Sequence, residues 1–499
     1  MIAFLVAGIQ GKHYNKHCAK RIFVKNEPIQ AKRFIFTGGE DLAVKNDFSQ
    51  GSIMKSVLSM AVPTVVAQCV QLLYNMVDRI YLGRLPGVGS LALTGVGLTF
   101  PIIMLITAFT NLYGQGGAPL CSIRRGAGDL DTARRIMNNC LVLEVLTGAA
   151  LMAIFYGFMR PILFAFGASP STWPYAQAYL QIYLLGTVFN MVSLGMNSFV
   201  NAQGFGRVGM MTTVIGGVLN LVLDPVFIFV LGMGVRGAAL ATVISQCVSC
   251  VWVLCFLASP NAIFGLDRQD LLAMDWPLMK QVVTLGFASF LMAVTNSVTQ
   301  VVCNAVLSVV GGDLYVGVMT VVNSVREGTQ LPTTGFTHGS QPVIGYNYGA
   351  KKYSRTRRCI WEVTWATLAI SVTTWLLIVL FPRQLMCIFT SDPGLIEAGI
   401  PALKLFFYGY FFMTFQFVGQ CTFVSLGRSR YAIFFSTLRK LIIVTPLTLW
   451  LPHVAGLGVM GVFLAEPISN LIGGLACYGT MLATVWRDLK KLETTEEKA

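Results

Sequence analysis

Apolar runs of about 20 residues, the length needed to cross a bilayer, recur along nearly the whole chain beyond residue 55. Each reads as a membrane-spanning helix. Twelve fit, at 56–82, 89–113, 137–159, 176–200, 208–231, 236–258, 279–307, 314–337, 358–381, 397–423, 431–451 and 456–485. With 55% hydrophobic and 12% charged residues among 499, the composition excludes a soluble globule.

The basic residues fall between the runs. A net charge of +14 would suit nucleic acid, but this placement matches cytoplasmic loops facing anionic lipid head groups, with no nucleic-acid partner. One side collects Arg124, Arg125, Arg134, Arg135, Arg207, Lys351, Lys352, Arg355, Arg357, Arg358, Arg428, Arg430, Arg439 and Lys440. The other holds scattered residues such as Arg84, Arg160, Arg236 and Arg383. The positive-inside rule therefore puts both termini in the cytoplasm and the protein in the plasma (inner) membrane. Glu144 and Glu362, near the starts of their spans on the basic side, read as partners that anchor these loops. The twelve Cys lie mostly within apolar runs and read as small packing side chains.

Residues 1–51 differ from the rest. Residues 1–9 are apolar but too short to span, and 12–45 are basic and irregular. They read as a doubtful extension upstream of a start near Val44, or as a weakly ordered tail. The polar stretch 259–276 reads as a cytoplasmic linker between two six-helix lobes, 52–258 and 277–486, and 487–499 as a cytoplasmic tail.

The lobes resemble each other. Residues 232–246 align with 456–470, Gly126-Ala127 with Gly349-Ala350, Gly206-Arg207 with Gly427-Arg428, and Asp224-Pro225 with Thr445-Pro446, at an offset near 223. An even number of spans per lobe runs both lobes the same way through the membrane. Parallel repeats with a site at their interface are a transporter arrangement.

The fifth run contains Asn220-Leu221-Val222-Leu223-Asp224-Pro225. Residues four apart share a helix face, and Pro225 frees the Leu221 carbonyl. A carboxylate is costly in hydrocarbon and is kept where it faces a cavity, finds a partner or changes protonation state. The plainer reading is an Asp that caps a helix break. Helix rise puts Asp224 about 26 Å from the inner surface and Thr242 about 9 Å from the outer one. Both share the outer part of the first lobe with Asp78, which follows Asn75 by a turn. Pro63 loosens the first helix by freeing the Ser59 carbonyl.

In the second lobe Thr445 stands for Asp224, Cys303 approximately for Asp78, and Glu466 for Thr242. Glu466 and the adjacent pair Arg326-Glu327 fall near mid-membrane; they either line a substrate cavity or link helices. Three motif matches carry no chemistry. Gly204-Phe205-Gly206-Arg207-Val208-Gly209 has no βαβ unit around it, Cys247 and Cys250 lack partner ligands, and His13, His17 and Cys18 lie in the doubtful extension. The sequence shows no P-loop and no catalytic triad, so work must come from a gradient or a partner.

On Pro63 with Asp78, Asn220…Asp224-Pro225, Thr242 and the paired Gly-Ala…Arg-Arg loops, the chain resembles the multidrug and toxic compound extrusion (MATE) transporters, especially the MepA-like bacterial branch. The resemblance runs from about Asp47 to Arg487. It implies an all-α polytopic membrane protein with twelve transmembrane helices in two pseudo-symmetric six-helix bundles set in a V. It further implies that Asp78, Asn220, Asp224 and Thr242 bind the coupling H⁺ or Na⁺, with the first helix bending at Pro63. Asn75, Arg326, Glu327 and Glu466 are the candidates for the substrate cavity. Another branch uses acids in the seventh and tenth helices, where this chain has only the boundary residue Glu397.

The expectation is a monomeric antiporter, not an enzyme. It needs no cofactor and exports drugs or toxic metabolites, often cationic. One charge falling through 100 mV releases about 2.3 kcal/mol, and one pH unit about 1.4 kcal/mol. Exchanging one H⁺ for one monovalent cation moves no net charge and leaves only the second contribution. A lipid-linked precursor flippase is the alternative within transport; it needs a strongly basic cavity, and Arg326 is the one clear mid-membrane base in the sequence. An intramembrane aspartyl enzyme would use Asp78 and Asp224 but gives the duplication no reason.

Overall fold

The computed structural model describes residues 47–496 apart from 86, 87, 391 and 455. Of the doubtful extension, residues 1–46, with His13, His17, Cys18 and Val44, lie outside the described residues. The described secondary structure is entirely helical. The first lobe holds α1 (Ile53–Gly83), α2 (Gly89–Gly126), α3 (Leu130–Gly157), α4 (Trp173–Leu185 and Thr187–Ala202), α5 (Gly206–Val230) and α6 (Val235–Leu257). The second holds α7 (Trp276–Val310), α8 (Gly312–Gly349), α9 (Tyr353–Leu380), α10 (Pro393–Phe406 and Tyr410–Ser425), α11 (Ser429–His453) and α12 (Val459–Thr495). The halves of α4 meet at 55° and those of α10 at 42°.

Eleven of these are long and apolar enough to span a membrane when each bent pair counts as one span. The other is α8, whose polar residues include Arg326, Glu327, Gln330, His338 and Gln341. It is also longer than its apolar run implies, continuing from 337 to Gly349. Its inner half is packed between other helices, where Thr337 and Asn347 return hydrogen bonds to the carbonyls of Thr333 and Val343. Buried polar groups satisfied in this way cost little, so hydropathy alone ends the helix too early.

Likewise α2 runs on to Gly126, and α3 begins at Leu130 because Asp129 caps it, accepting the Thr132 N–H at 3.1 Å. That earlier start carries Glu144 about 21 Å into the helix. Glu144 is fully buried, pressed over Gly195, and neither carboxyl oxygen has a hydrogen-bond partner. It is not the loop anchor that the sequence suggested. Glu362 does meet the basic surface, pairing with Arg358 at 2.9 Å.

The duplication shows in the turns. Left-handed backbone recurs at Gly128 and Lys351, Gly204 and Gly427, Gly232 and Gly456, and Gly234 and Gly458. The turn after α4 closes through Phe205 N–H to the Val200 carbonyl, and its counterpart through Arg428 N–H to Phe423. Gly204 is thus the partner of Gly427, and the sequence pairing of Gly206 with Gly427 is two residues out. The linker folds onto the first lobe. Gln203 accepts the N–H groups of Ile263 and Phe264, Asn139 donates to the carbonyls of Asp270 and Ala273, and Arg134 pairs with Asp270 at 2.7 Å. Beyond Arg487 the chain stays helical to Glu496, tied by Arg428 to Asp488 at 2.8 Å and by Arg357 to Glu493.

The lobes meet through the basic-end halves of α1, α2, α7 and α8. Thr334 donates to Gln68 at 3.1 Å, and the Phe109 and Phe290 rings stand 5.3 Å apart. Deepest toward that end, Gly126 of α2 faces Gly349 of α8. A Cβ on Gly126 would collide with the Tyr346 carbonyl, and one on Gly349 with that of Ile123. Residues 47–52 cross the same end as a strap. Arg355 donates to the carbonyls of Phe48, Gln50 and Gly51 at 2.9, 2.8 and 2.8 Å. Tyr346 donates to Asp47, and the Arg125 guanidinium lies 5.3 Å from the Phe48 ring and 4.9 Å from that of Tyr346.

This closure depends on backbone touching backbone. Gly126→Val should prise the basic ends apart. Spin labels on the exposed residues Leu130 and Arg358 should then report a longer distance distribution than in the parent protein; an unchanged distribution contradicts the assignment.

Candidate functional site

Three helices of the first lobe bring the predicted polar residues together. On α5, Asn220 and Asp224 stack one turn apart, and the Asn220 amide donates to Asp224 Oδ1 at 3.3 Å and to Thr242 Oγ1 of α6 at 3.4 Å. The Thr242 hydroxyl itself donates a hydrogen bond to the Ala238 carbonyl at 3.0 Å. Asp224 is 0% and Asn220 3% exposed. Gly217 lets α5 approach Val70 and Tyr74 of α1 closely, and Asp78 on α1 is near enough to Asp224 for the two carboxyl groups to act on each other. The loosening at Pro225 takes the form of a π-turn over Val226–Val230, a helix defect common at functional sites.

Three oxygens in this cluster are buried without a hydrogen-bond partner: Asp78 Oδ1, Asn220 Oδ1 and Asp224 Oδ2. Among the described residues neither Asp makes an ion pair, and Arg79, next to Asp78, turns instead onto the Phe100 ring at 4.5 Å. Orphaned acceptors converging from two helices suit a proton or a small cation. Pro63 is buried inside α1, which continues through it as one helix. Asn75 is exposed, and its side chain makes no hydrogen bond among the described residues.

Two tyrosines join the cluster that the sequence did not flag. Tyr74 lies one turn before Asp78, a spacing that could have identified it, and the two interact. Tyr179 of α4 faces Thr242 and both carboxyl groups. Its place follows from the packing of α4 against α6, for which the sequence holds no spacing signal.

The second lobe is built on the opposite charge. Glu466 of α12 accepts from Arg439 at 3.0 Å and from Lys440 at 3.0 and 3.1 Å, and Arg439 also donates to Asn470 at 2.9 Å. These cations are 8% and 3% exposed and Glu466 5%. Arg439 and Lys440 are therefore not loop residues. They sit on a π-helical stretch, Leu438–Val444, about 18 Å along α11 from Arg428. Arg326 of α8 joins them electrostatically and lies over the Phe406 ring at 5.9 Å, while its neighbour Glu327 is exposed. Arg326, Lys440 and Glu466 line one cavity with Asn296, Gln300 and Asn323. At the places of the two Asp residues the second lobe has neutral pairs: Thr299 with Thr445 at 3.4 Å and Cys303 with Thr448 at 3.7 Å.

Removing one partner of a buried ion pair leaves the other charge uncompensated and costs about 3–5 kcal/mol. Glu466→Leu should lower the thermal unfolding midpoint of the detergent-solubilised protein sharply. Asp224→Asn, which breaks no ion pair, should shift it far less; equal shifts count against this contrast.

The MatE family model matches the chain twice, over residues 63–226 and 288–450, together more than half of its length. The multidrug export protein MepA of Staphylococcus haemolyticus is 25% identical over 361 residues, 72% of this chain and 78% of that protein. A crystal structure of MATE in the bent conformation superposes with a TM-score of 0.83 at 23% identity, covering 92% of this chain and 99% of the other. An outward-facing multidrug resistance MATE family transporter of the MOP superfamily gives 0.82 at 23% identity, over 90% and 98%.

Proposed function

The chain belongs to the MatE family and is a transporter, not an enzyme, and from that premise we propose that it exports diverse, often cationic, small molecules in exchange for H⁺ or Na⁺ bound at Asp78, Asn220, Asp224 and Thr242. The observation that carries the coupling site is the set of three orphaned oxygens on Asp78, Asn220 and Asp224. Two uncompensated carboxylates in a poorly solvated site repel each other, and an entering proton or Na⁺ removes that repulsion. Such neighbours titrate as a unit.

Ion entry from outside then lets α1 bend about Pro63, which reshapes the outer cleft and expels substrate. Parting of the basic ends opens the inner side, where the ion leaves and substrate enters. The distribution of Arg and Lys supports a cytoplasmic basic end with both termini inside; the reading further takes the protein to be a monomer in the plasma (inner) membrane.

A lipid-linked precursor flippase gains one observation in its favour, since Arg439 and Lys440 join Arg326 inside the second lobe. It stays second because Glu466 offsets part of that charge and the first-lobe site is acidic.

Asp78→Asn and Asp224→Asn keep side-chain shape but remove the titrating group. Each should still bind drug in detergent from pH 6 to 8, lose the pH dependence of that binding, and fail to export against a gradient in vesicles. Transport retained after the pH dependence is lost would refute the coupling site. A Na⁺-dependent shift of the parent binding curve at fixed pH and ionic strength would select Na⁺ over the proton. For orientation, a Cys-free variant carrying Lys351→Cys should resist an impermeant thiol reagent in whole cells and react once the membrane is permeabilised; labelling of intact cells would invert the topology.

A further inference from the structure

The charges inside the second lobe do not balance. Arg326, Arg439 and Lys440 face a single acid, Glu466. Lys440 spends two contacts on the Glu466 carboxylate, and Arg439 is divided between Glu466 and Asn470. Arg326 makes no ion pair or side-chain hydrogen bond among the described residues, holding only its place over the Phe406 ring. Glu327, the carboxylate next to it in the chain, is exposed and leaves it uncompensated. The cavity lining thus has a surplus of positive charge in a medium where an unmatched charge is expensive.

The remaining polar lining, Asn296, Gln300 and Asn323, is neutral. A guanidinium fork with amides beside it matches the planar, multi-oxygen face of an oxyanion. The enclosed space is narrow, so only the small end of a larger molecule could reach these side chains.

We propose that this cavity is a binding site for an anionic oxyacid group, a carboxylate, sulfonate or phosphate, carried by a transported molecule. Arg326 is its primary ligand and Lys440 its second. The inference rests on the exporter reading and assigns the acidic end of a cargo molecule to a place in the second lobe. The two lobes then divide the work, the first holding the coupling cation and the second the acidic end of the cargo.

The test uses the full chain in phosphatidylcholine nanodiscs and three ligands on one scaffold: 2-naphthoate, 2-naphthamide and 2-naphthyltrimethylammonium. Equilibrium binding should favour naphthoate over the isosteric amide by about tenfold or more. Arg326→Gln should abolish that preference without weakening the amide, and Arg326→Lys should restore part of it. Unchanged binding of the amide by Arg326→Gln, with an unchanged elution profile in size-exclusion chromatography, guards against misfolding as the explanation.

Equal binding of naphthoate and amide by the parent protein, or an Arg326→Gln variant with its preference intact, overturns the proposal. So does loss of naphthoate binding in phosphatidylglycerol nanodiscs, which would give the site to lipid head groups, or its displacement by chloride alone, which would give it to an inorganic ion. Ethidium export by the same preparation in vesicles reports the exporter reading separately. Failure there with the naphthoate preference intact rejects that reading and leaves this site standing.

Discussion

An ionised carboxylate inside a bilayer needs a countercharge, a proton or water, because hydrocarbon supplies none. Two lobes descended from one repeat meet that demand in opposite ways. In the second, Glu466 is permanently neutralised by Arg439 and Lys440 on the neighbouring helix. In the first, Asp78 and Asp224 are left without a cation among the described residues, and Asn220 and Thr242 offer only neutral contacts. A permanently paired acid has nothing to gain from the gradient, whereas an unpaired one is sensitive to whatever ion arrives. That asymmetry makes two lobes of one scaffold chemically unlike.

Helix geometry makes the asymmetry affordable. Two of the three π-helical stretches among the described residues, Val226–Val230 after Asp224 and Leu438–Val444 around Lys440, accompany a proline and lie beside buried charged side chains. An extra residue per turn rotates the side chains that follow relative to a regular helix. In the second lobe the stretch itself carries Arg439 and Lys440, whereas in the first it follows Asp224.

Much of this was legible in the sequence. The twelve apolar runs gave the helices, and the constant offset gave the two lobes. The four-residue spacing of Asn220 and Asp224, combined with helix rise, put Asp78, Asp224 and Thr242 at a common depth. What failed did so where a local rule met a tertiary exception. Arg439 and Lys440 follow Arg428 and Arg430 so closely that charge counting assigns all four to one loop, yet the first pair lies buried inside α11. Glu144 was misplaced because α3 starts at its Asp129 cap and not at its first apolar residue. The length of α8 was hidden by polar residues buried against other helices, and Tyr179 belongs to the site only through packing between α4 and α6. Sequence periodicity reports which face of a helix is apolar; it does not report which polar residue another helix will cover.

The strap ahead of α1 bears on what holds the basic ends closed. It precedes a first-lobe helix but is gripped by Arg355, Lys352 and Tyr346 of the second, with Arg125 of the first stacked on its Phe48. Parting the basic ends must therefore peel it away or stretch it. Hydrogen bonds to a charged group are worth about 1.5–3 kcal/mol each, and several break together. These contacts belong to the peptide alone and need no bound ion, so the chain itself holds its basic ends together.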